Sequence, residues 1–333
     1  MIRTFILVIT ILSSFTSQAQ NTLMLAFYNQ ENLFDTIDDP RKNDNEFLPT
    51  AKKEWNTEKY RNKLNNMARV IASLNNGKGP DVLGMCEVEN EAVLQDLTQT
   101  EALKAMNYGI VHFESPDERS IDNAVLYRKD IFTLTASAPY RITFTDFPNS
   151  KTRDIVMAKL TDNKKQSLIV LVNHFPSRLG GQQESEPKRI TAALLLKHII
   201  DSVAKADPKT PVFAIGDFND EPTDRSLDSV LQAKDNTKSG LYNAMYSLKL
   251  KGEGTHMYQK HWTMLDQIIM TNNAVSCTSP FCYVSNSATI YKQDWMLETD
   301  EKYKGAPLRT FAGNKYLNGY SDHLPVYIIL KKK

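Results

Sequence analysis

Eight apolar runs set the terms for this chain: TLMLAFYN (22–29), PDVLGMCEV (80–88), NAVLYR (123–128), DIVMAKL (154–160), SLIVLVNHF (167–175), PVFAIGDF (211–218), TMLDQIIM (263–270) and LPVYIIL (324–330). Several are apolar at successive positions, so both faces of the strand they form must be covered. Amphipathic stretches lie between some of them. In residues 58–74, Leu64, Met67, Val70, Ile71 and Leu74 recur at three- and four-residue steps, which predicts a helix. Residues 91–97, 186–206 and 223–233 read as further helices, with Pro187 acceptable in a first turn. Many runs follow one another with no helix between them, which excludes a purely parallel sheet. Mixed sheets under outer helices fit the pattern. Residues 35–57 and 285–320 are polar and irregular, as long loops around a site often are.

No linker rich in Pro, Gly or Ser divides the chain, so one domain over residues 20–333 is expected. The 41% hydrophobic and 24% charged content is ordinary for a globular protein. The start differs from the rest. Arg3, an apolar run from Phe5 to Leu12 and the small and polar residues up to Ala19 have the layout of a cleavable signal peptide, residues 1–19. The apolar run is too short to span a bilayer, no cysteine stands there to carry a lipid, and no later segment reads as a transmembrane span. The expected location is periplasmic or secreted. In such a compartment Cys277 and Cys282, flanking TSPF, can pair, whereas Cys86 reads as a buried thiol.

Without Arg3 the chain holds 39 Lys and Arg against 39 Asp and Glu. This balance argues against a module that grips nucleic acid by charge alone, but not against an enzyme that must release a polyanion.

The runs end alike. Asn29, Glu87, Asn173-His174 and Asp217-x-Asn219 close four of them, Asp266 stands beside QIIM, and Asp322-His323 precedes the last. Singly, such residues are usually turn formers, caps or structural histidines. Jointly, they place carboxylates, amides and two imidazoles on one rim, where layered α/β proteins gather their sites. The set is rich in oxygen and has neither His-x-x-x-His nor Cys-x-x-Cys, which suits Mg²⁺ first, or Mn²⁺ or Ca²⁺, rather than zinc. Metal-assisted attack of water on a phosphoester uses all these parts.

The motifs FYNQENLFD, GMCEVEN, IDNAVLYR, NHFPSR, GDFND, LDQII and SDHLPV, in this order, resemble those of the endonuclease/exonuclease/phosphatase superfamily, in its secreted bacterial nuclease-like branch. The resemblance spans the mature chain. It implies a four-layer α/β sandwich, two mixed sheets face to face with helices outside. It implies Glu87 as principal metal ligand, with Asn29 and Asp322 completing the metal site. Asp217 and Asn219 would orient the attacking water and contact the phosphate. His323 would be a catalytic histidine polarised by Asp266, and His174 the other, oriented by Asp122, although Asp117 and Glu118 lie close by.

Asn173 and Arg178 are candidate substrate contacts. Arg suits bidentate phosphate binding, and Gly180 and Gly181 would let backbone approach a ligand. Lys188 and Arg189 read as an exposed helix face, and Asp220 as a turn residue. The expected activity is hydrolysis of a phosphodiester, nucleic acid first, with either Asp217 or a histidine taking the water's proton. A phosphatase, a phospholipid phosphodiesterase or a catalytically inactive binding protein would share the core, and no obligate protein partner is inferred. No aromatic hairpin suited to entering a membrane is evident in the sequence.

Overall fold

Two seven-stranded mixed sheets lie face to face in the computed structural model, which describes residues 22–333. The expected leader lies outside the described residues. The first sheet runs Phe281–Tyr283, Val326–Lys332, Thr22–Leu33, Val82–Val88, Asp122–Arg128, Tyr108–His112, with Thr289–Ile290 also on the last strand of the chain. The second runs Phe132–Tyr140, Ile155–Asp162, Ser167–His174, Val212–Asp217, Asp266–Thr271, Leu241–Asn243, Ala233–Lys234. Each sheet holds a parallel pair at its centre, Thr22–Leu33 with Val82–Val88 and Ser167–His174 with Val212–Asp217, flanked by antiparallel neighbours.

Side-chain alternation explains the layers. Leu23, Leu25 and Phe27 point between the sheets and meet Val170, Val172 and Ile215. Met24, Ala26 and Tyr28 point outward, under the helix Thr57–Gly77 through Met67, Val70 and Ile71. On the far side, Ile169 and Leu171 pack against Ala192, Leu196 and Ile200 of the helix Gln182–Ala206. Helix, sheet, sheet, helix is the four-layer order expected.

The expected helix at 223–233 is only a π-type turn, Ser226–Val230. The edge strand Phe132–Tyr140 had no apolar run to announce it, because most of its side chains face water. Arg189 is fully buried against Asp220 at 2.6 Å, not on an exposed face, and Asp220 is itself buried and also receives the Ser226 hydroxyl. Cys277 and Cys282 form a disulfide, and Cys86 is a buried free thiol.

Candidate active site

Local irregularity aims the side chains of the first sheet. The register of Thr22–Leu33 against Val82–Val88 slips between Asn29 and Leu33, and that of Val82–Val88 against Asp122–Arg128 slips between Cys86 and Val88. At these slips Glu31, Asn32 and Glu87 take left-handed φ values of 48°, 59° and 59°. An extra residue in a ladder bends the strand and re-aims a side chain, and such strain gathers at functional positions.

In the second sheet, regular pairing does the work. His174 is the register partner of Asp217, and Asp217 that of Asp266, so the three stand in a row across adjacent strands. A Cβ at Gly216 would fall 2.1 Å from the Asn173 backbone oxygen, so only glycine permits this strand approach. Asn219 leaves the strand in a left-handed turn at φ 51°, while Phe218 turns into the core against Phe175.

The groups converge around Asp217. Its Oδ2 lies 3.7 Å from His174 Nε2, 3.9 Å from His323 Nε2, and accepts from Asn29 Nδ2 at 3.2 Å. Its Oδ1 accepts the Asn219 backbone N–H at 2.9 Å. Asp266 Oδ2 meets His323 Nδ1 at 2.7 Å. Glu87 Oε1 lies 3.9 Å from His174 Nε2 on the other side.

The two imidazoles are driven apart. Burial pushes the His174 pKa well below its usual value, and the positive charges of Arg153, Arg119 and His323 push the same way. Burial opposes charge on His323 too, but Asp266 first, then Asp217 and Asp322, outweigh it and hold that pKa well above the usual range. Burial raises the Asp217 carboxyl to about 6, against the pull of His323. A neutral histidine, a charged histidine and a carboxylate that ionises near 6 are an acid–base set with separated roles.

Three expectations need correcting. Asp122 does not orient His174; its carboxylate takes His112 Nε2 at 3.1 Å and the Ser115 N–H at 2.8 Å, and His174 Nδ1 has no protein partner. Asn173 is not a substrate contact. As the neighbour of His174 on a strand it points the opposite way, and its amide donates to Leu171 and Ile215 carbonyls. Arg178 is no free phosphate clamp, because its guanidinium donates to the Asn219 carbonyl at 2.7 Å and to Asp224 at 2.6 Å. A short hairpin, His256–Tyr258 with His261–Thr263, carries an exposed Tyr258.

The sequence reading also missed residues. His256 packs against His323, with ring centroids 4.8 Å apart and the rings tilted by 36°. Arg119 stands 3.7 Å from Glu87. Arg309 bridges Glu31 at 3.0 Å and Asp322 at 2.8 Å, and buried Lys63 reaches Thr310, the Tyr320 carbonyl and, at 3.9 Å, Glu31. His256, Arg119 and Arg309 come from irregular segments or a short hairpin, where no periodicity marks them. Only Lys63 had a signal, as a lysine on the buried side of its helix.

The donor set fits a hard divalent ion. Glu87, Asp217, Asp266 and Asp322 line the site with the Asn29 amide oxygen, and Glu87 is lightly held, with one backbone N–H at 3.1 Å and Arg119 at 3.7 Å. Asp322 and Asn29 are more engaged, with Arg309 on one Asp322 oxygen and the Glu31 N–H on Asn29 Oδ1.

Carboxylates, an Asp–His pair and a second histidine, at the strand ends of a two-sheet sandwich, define a metal-dependent phosphoester hydrolase. The sequence model of the Endonuclease/Exonuclease/phosphatase family matches residues 24–332, and the chain belongs to that family. Solved structures of similar fold include a family member from Bacteroides thetaiotaomicron (17% identity, TM-score 0.57, 94% of this chain and 98% of that one). Others are a mannosyl-6-phosphatase from Bacteroides thetaiotaomicron VPI-5482 (15%, 0.57, 92% and 99%) and D. rerio TDP2 complexed with single strand DNA product (16%, 0.57, 93% and 99%). Among curated proteins, none matches the chain in sequence.

Proposed function

We propose that this protein is a periplasmic or secreted phosphodiesterase that hydrolyses nucleic acid by direct attack of water. The observation that carries the reading is the convergence on Asp217 of two imidazoles, His174 at 3.7 Å and His323 at 3.9 Å, the second backed by Asp266 at 2.7 Å. Burial lowers the pKa of the first, and carboxylates raise that of the second. In a phosphodiester displacement one group must take a proton from water while another gives one to the departing oxygen. Asp217, ionised above about 6, takes the first, with Asn219 fixing its position through the backbone N–H. His323, kept charged by Asp266, gives the second. His174 offers its Nε2 side toward the developing phosphate charge.

Glu87, with Asn29 and Asp322, would hold the divalent ion, Mg²⁺ first, then Mn²⁺ or Ca²⁺. Bound there, the ion would neutralise phosphate oxygens as a Lewis acid. The Cys277–Cys282 disulfide supports an oxidising compartment. No helix among the described residues is long and apolar enough to cross a membrane.

Purified protein assayed on single-stranded DNA, RNA, bis(p-nitrophenyl) phosphate, sphingomyelin and phosphosugars, with and without EDTA, tests the reading. Metal-dependent cleavage of the nucleic acids is expected. Release of inorganic phosphate from monoesters alone, or turnover that survives EDTA, would overturn it.

A further inference from the structure

Two grooves lie beside the site, and their charges differ. One, of about 770 Å³, starts at His256 and Asp322 and runs between the Tyr258 hairpin and the segment 298–317. Lys260, Lys302, Lys304, Lys315 and Arg309 line it against four carboxylates, one of which is Asp322 itself. Among the described residues, Lys260, Lys302 and Lys315 have no carboxylate partner within ion-pair distance, and the Tyr303 ring, 52% exposed, lies in the same wall.

The other groove, of about 950 Å³, is on the Glu87 side. It includes Glu118 and Ser120, either side of the Arg119 that reaches Glu87, together with Glu89 and Asn90. Seven carboxylates line it against three cations. Two of those cations are already matched, Arg41 by Asp39 and Lys42 by Glu114. Asp117 is answered by Arg153 at 2.9 Å, and the remaining carboxylates still outnumber the cations of the wall.

A chain of phosphodiesters threaded through both grooves would meet attraction on one side and repulsion on the other. Unpaired lysines beside an exposed aromatic ring are the usual means of holding single-stranded nucleic acid. Resting on the nuclease reading, we infer that the strand occupies only the lysine groove and that the enzyme acts at a chain end.

End-labelled linear single strands, a circular single strand of the same sequence and bis(p-nitrophenyl) phosphate test this together. The linear strand should shorten stepwise from one end, and the circle should be cut at least 100-fold more slowly. In a Lys302→Glu/Lys315→Glu variant the ratio of kcat/KM on the oligonucleotide to that on the small diester should fall at least tenfold. The salt dependence of strand binding, read by fluorescence anisotropy in the His323→Ala background, should weaken by about 0.7 log units of slope per lysine removed. Comparable cutting of the circle overturns end action, and unchanged binding in the double variant overturns the groove. Lysine-dependent binding without turnover of any diester would strike the hydrolase reading alone and leave the groove standing.

Discussion

Asp266 with His323 and Asp122 with His112 are both buried carboxylate–imidazole pairs, at 2.7 and 3.1 Å. The first faces the site. In the second, the imidazole is not the one that reaches Asp217. The family resemblance implied a carboxylate behind each catalytic imidazole, Asp266 for His323 and Asp122 for His174. Instead His174 keeps a buried Nδ1 without a partner, and burial first, then Arg153 and Arg119, lower its pKa. A carboxylate behind an imidazole holds the proton on; its absence lets burial take the proton off. The asymmetry is therefore what separates acid from neutral donor.

The largest effects should come from the centre of this arrangement. Asp217→Ala and His323→Ala should each lower kcat by about 10³-fold or more on a small diester, with circular dichroism and melting unchanged in form. Near-native rates in either purified variant would end the acid–base assignment.

The paired comparison comes next. Asp266→Asn should cost about 100-fold or more in kcat, as loss of an orienting carboxylate does. Asp122→Asn should leave kcat within about threefold while lowering stability by about 1–3 kcal/mol, because His112 and the Ser115 N–H lose a charged acceptor. Urea unfolding and kinetics on the same two proteins decide it. If Asp122→Asn matched Asp266→Asn in kcat, the two pairs would be functionally equivalent after all.

The pH profile sharpens the same contrast. Asp217 must be deprotonated to act as base, so kcat should rise with pH through about 6. His323 must keep its proton, so activity should fall only well above the ordinary histidine range, at a pH that drops in Asp266→Asn because the main charge-retaining group is gone. A single rising limb with no alkaline fall would remove His323 as the acid.

The layers were legible because apolar runs and 3.6-residue periodicity report burial directly, and His174, Asp217 and Asp266 were legible as strand ends that regular register carries together. What escaped notice depends on chain paths that periodicity cannot encode. Asp122 precedes a strand just as an orienting acid should, yet it lies opposite Val88 across a register slip and faces His112 on the neighbouring strand. Arg119, His256 and Arg309 reach the site from a loop, a three-residue strand and a long irregular segment. Lys63 gave a sign that went unread: a lysine buried on the inner face of its helix needs an acid, and Glu31 supplies one.

Arg178 provides the smallest effect and the finest test of positioning against contact. Its guanidinium holds the Asn219 carbonyl and Asp224, and Asn219 in turn holds Asp217 by its N–H and Phe175 by its side chain. Removing it loosens the turn without taking away any group that faces the phosphate. Arg178→Ala should therefore lower kcat by several-fold at unchanged KM, and reduce stability by about 1–2 kcal/mol through the charged hydrogen bonds lost. Arg178→Lys should recover only part of both, since one ammonium cannot span the carbonyl and Asp224 as the planar fork does. A tenfold rise in KM with kcat intact would instead mean that the arginine swings out to hold substrate, and that the contacts to Asn219 belong to the unliganded enzyme only.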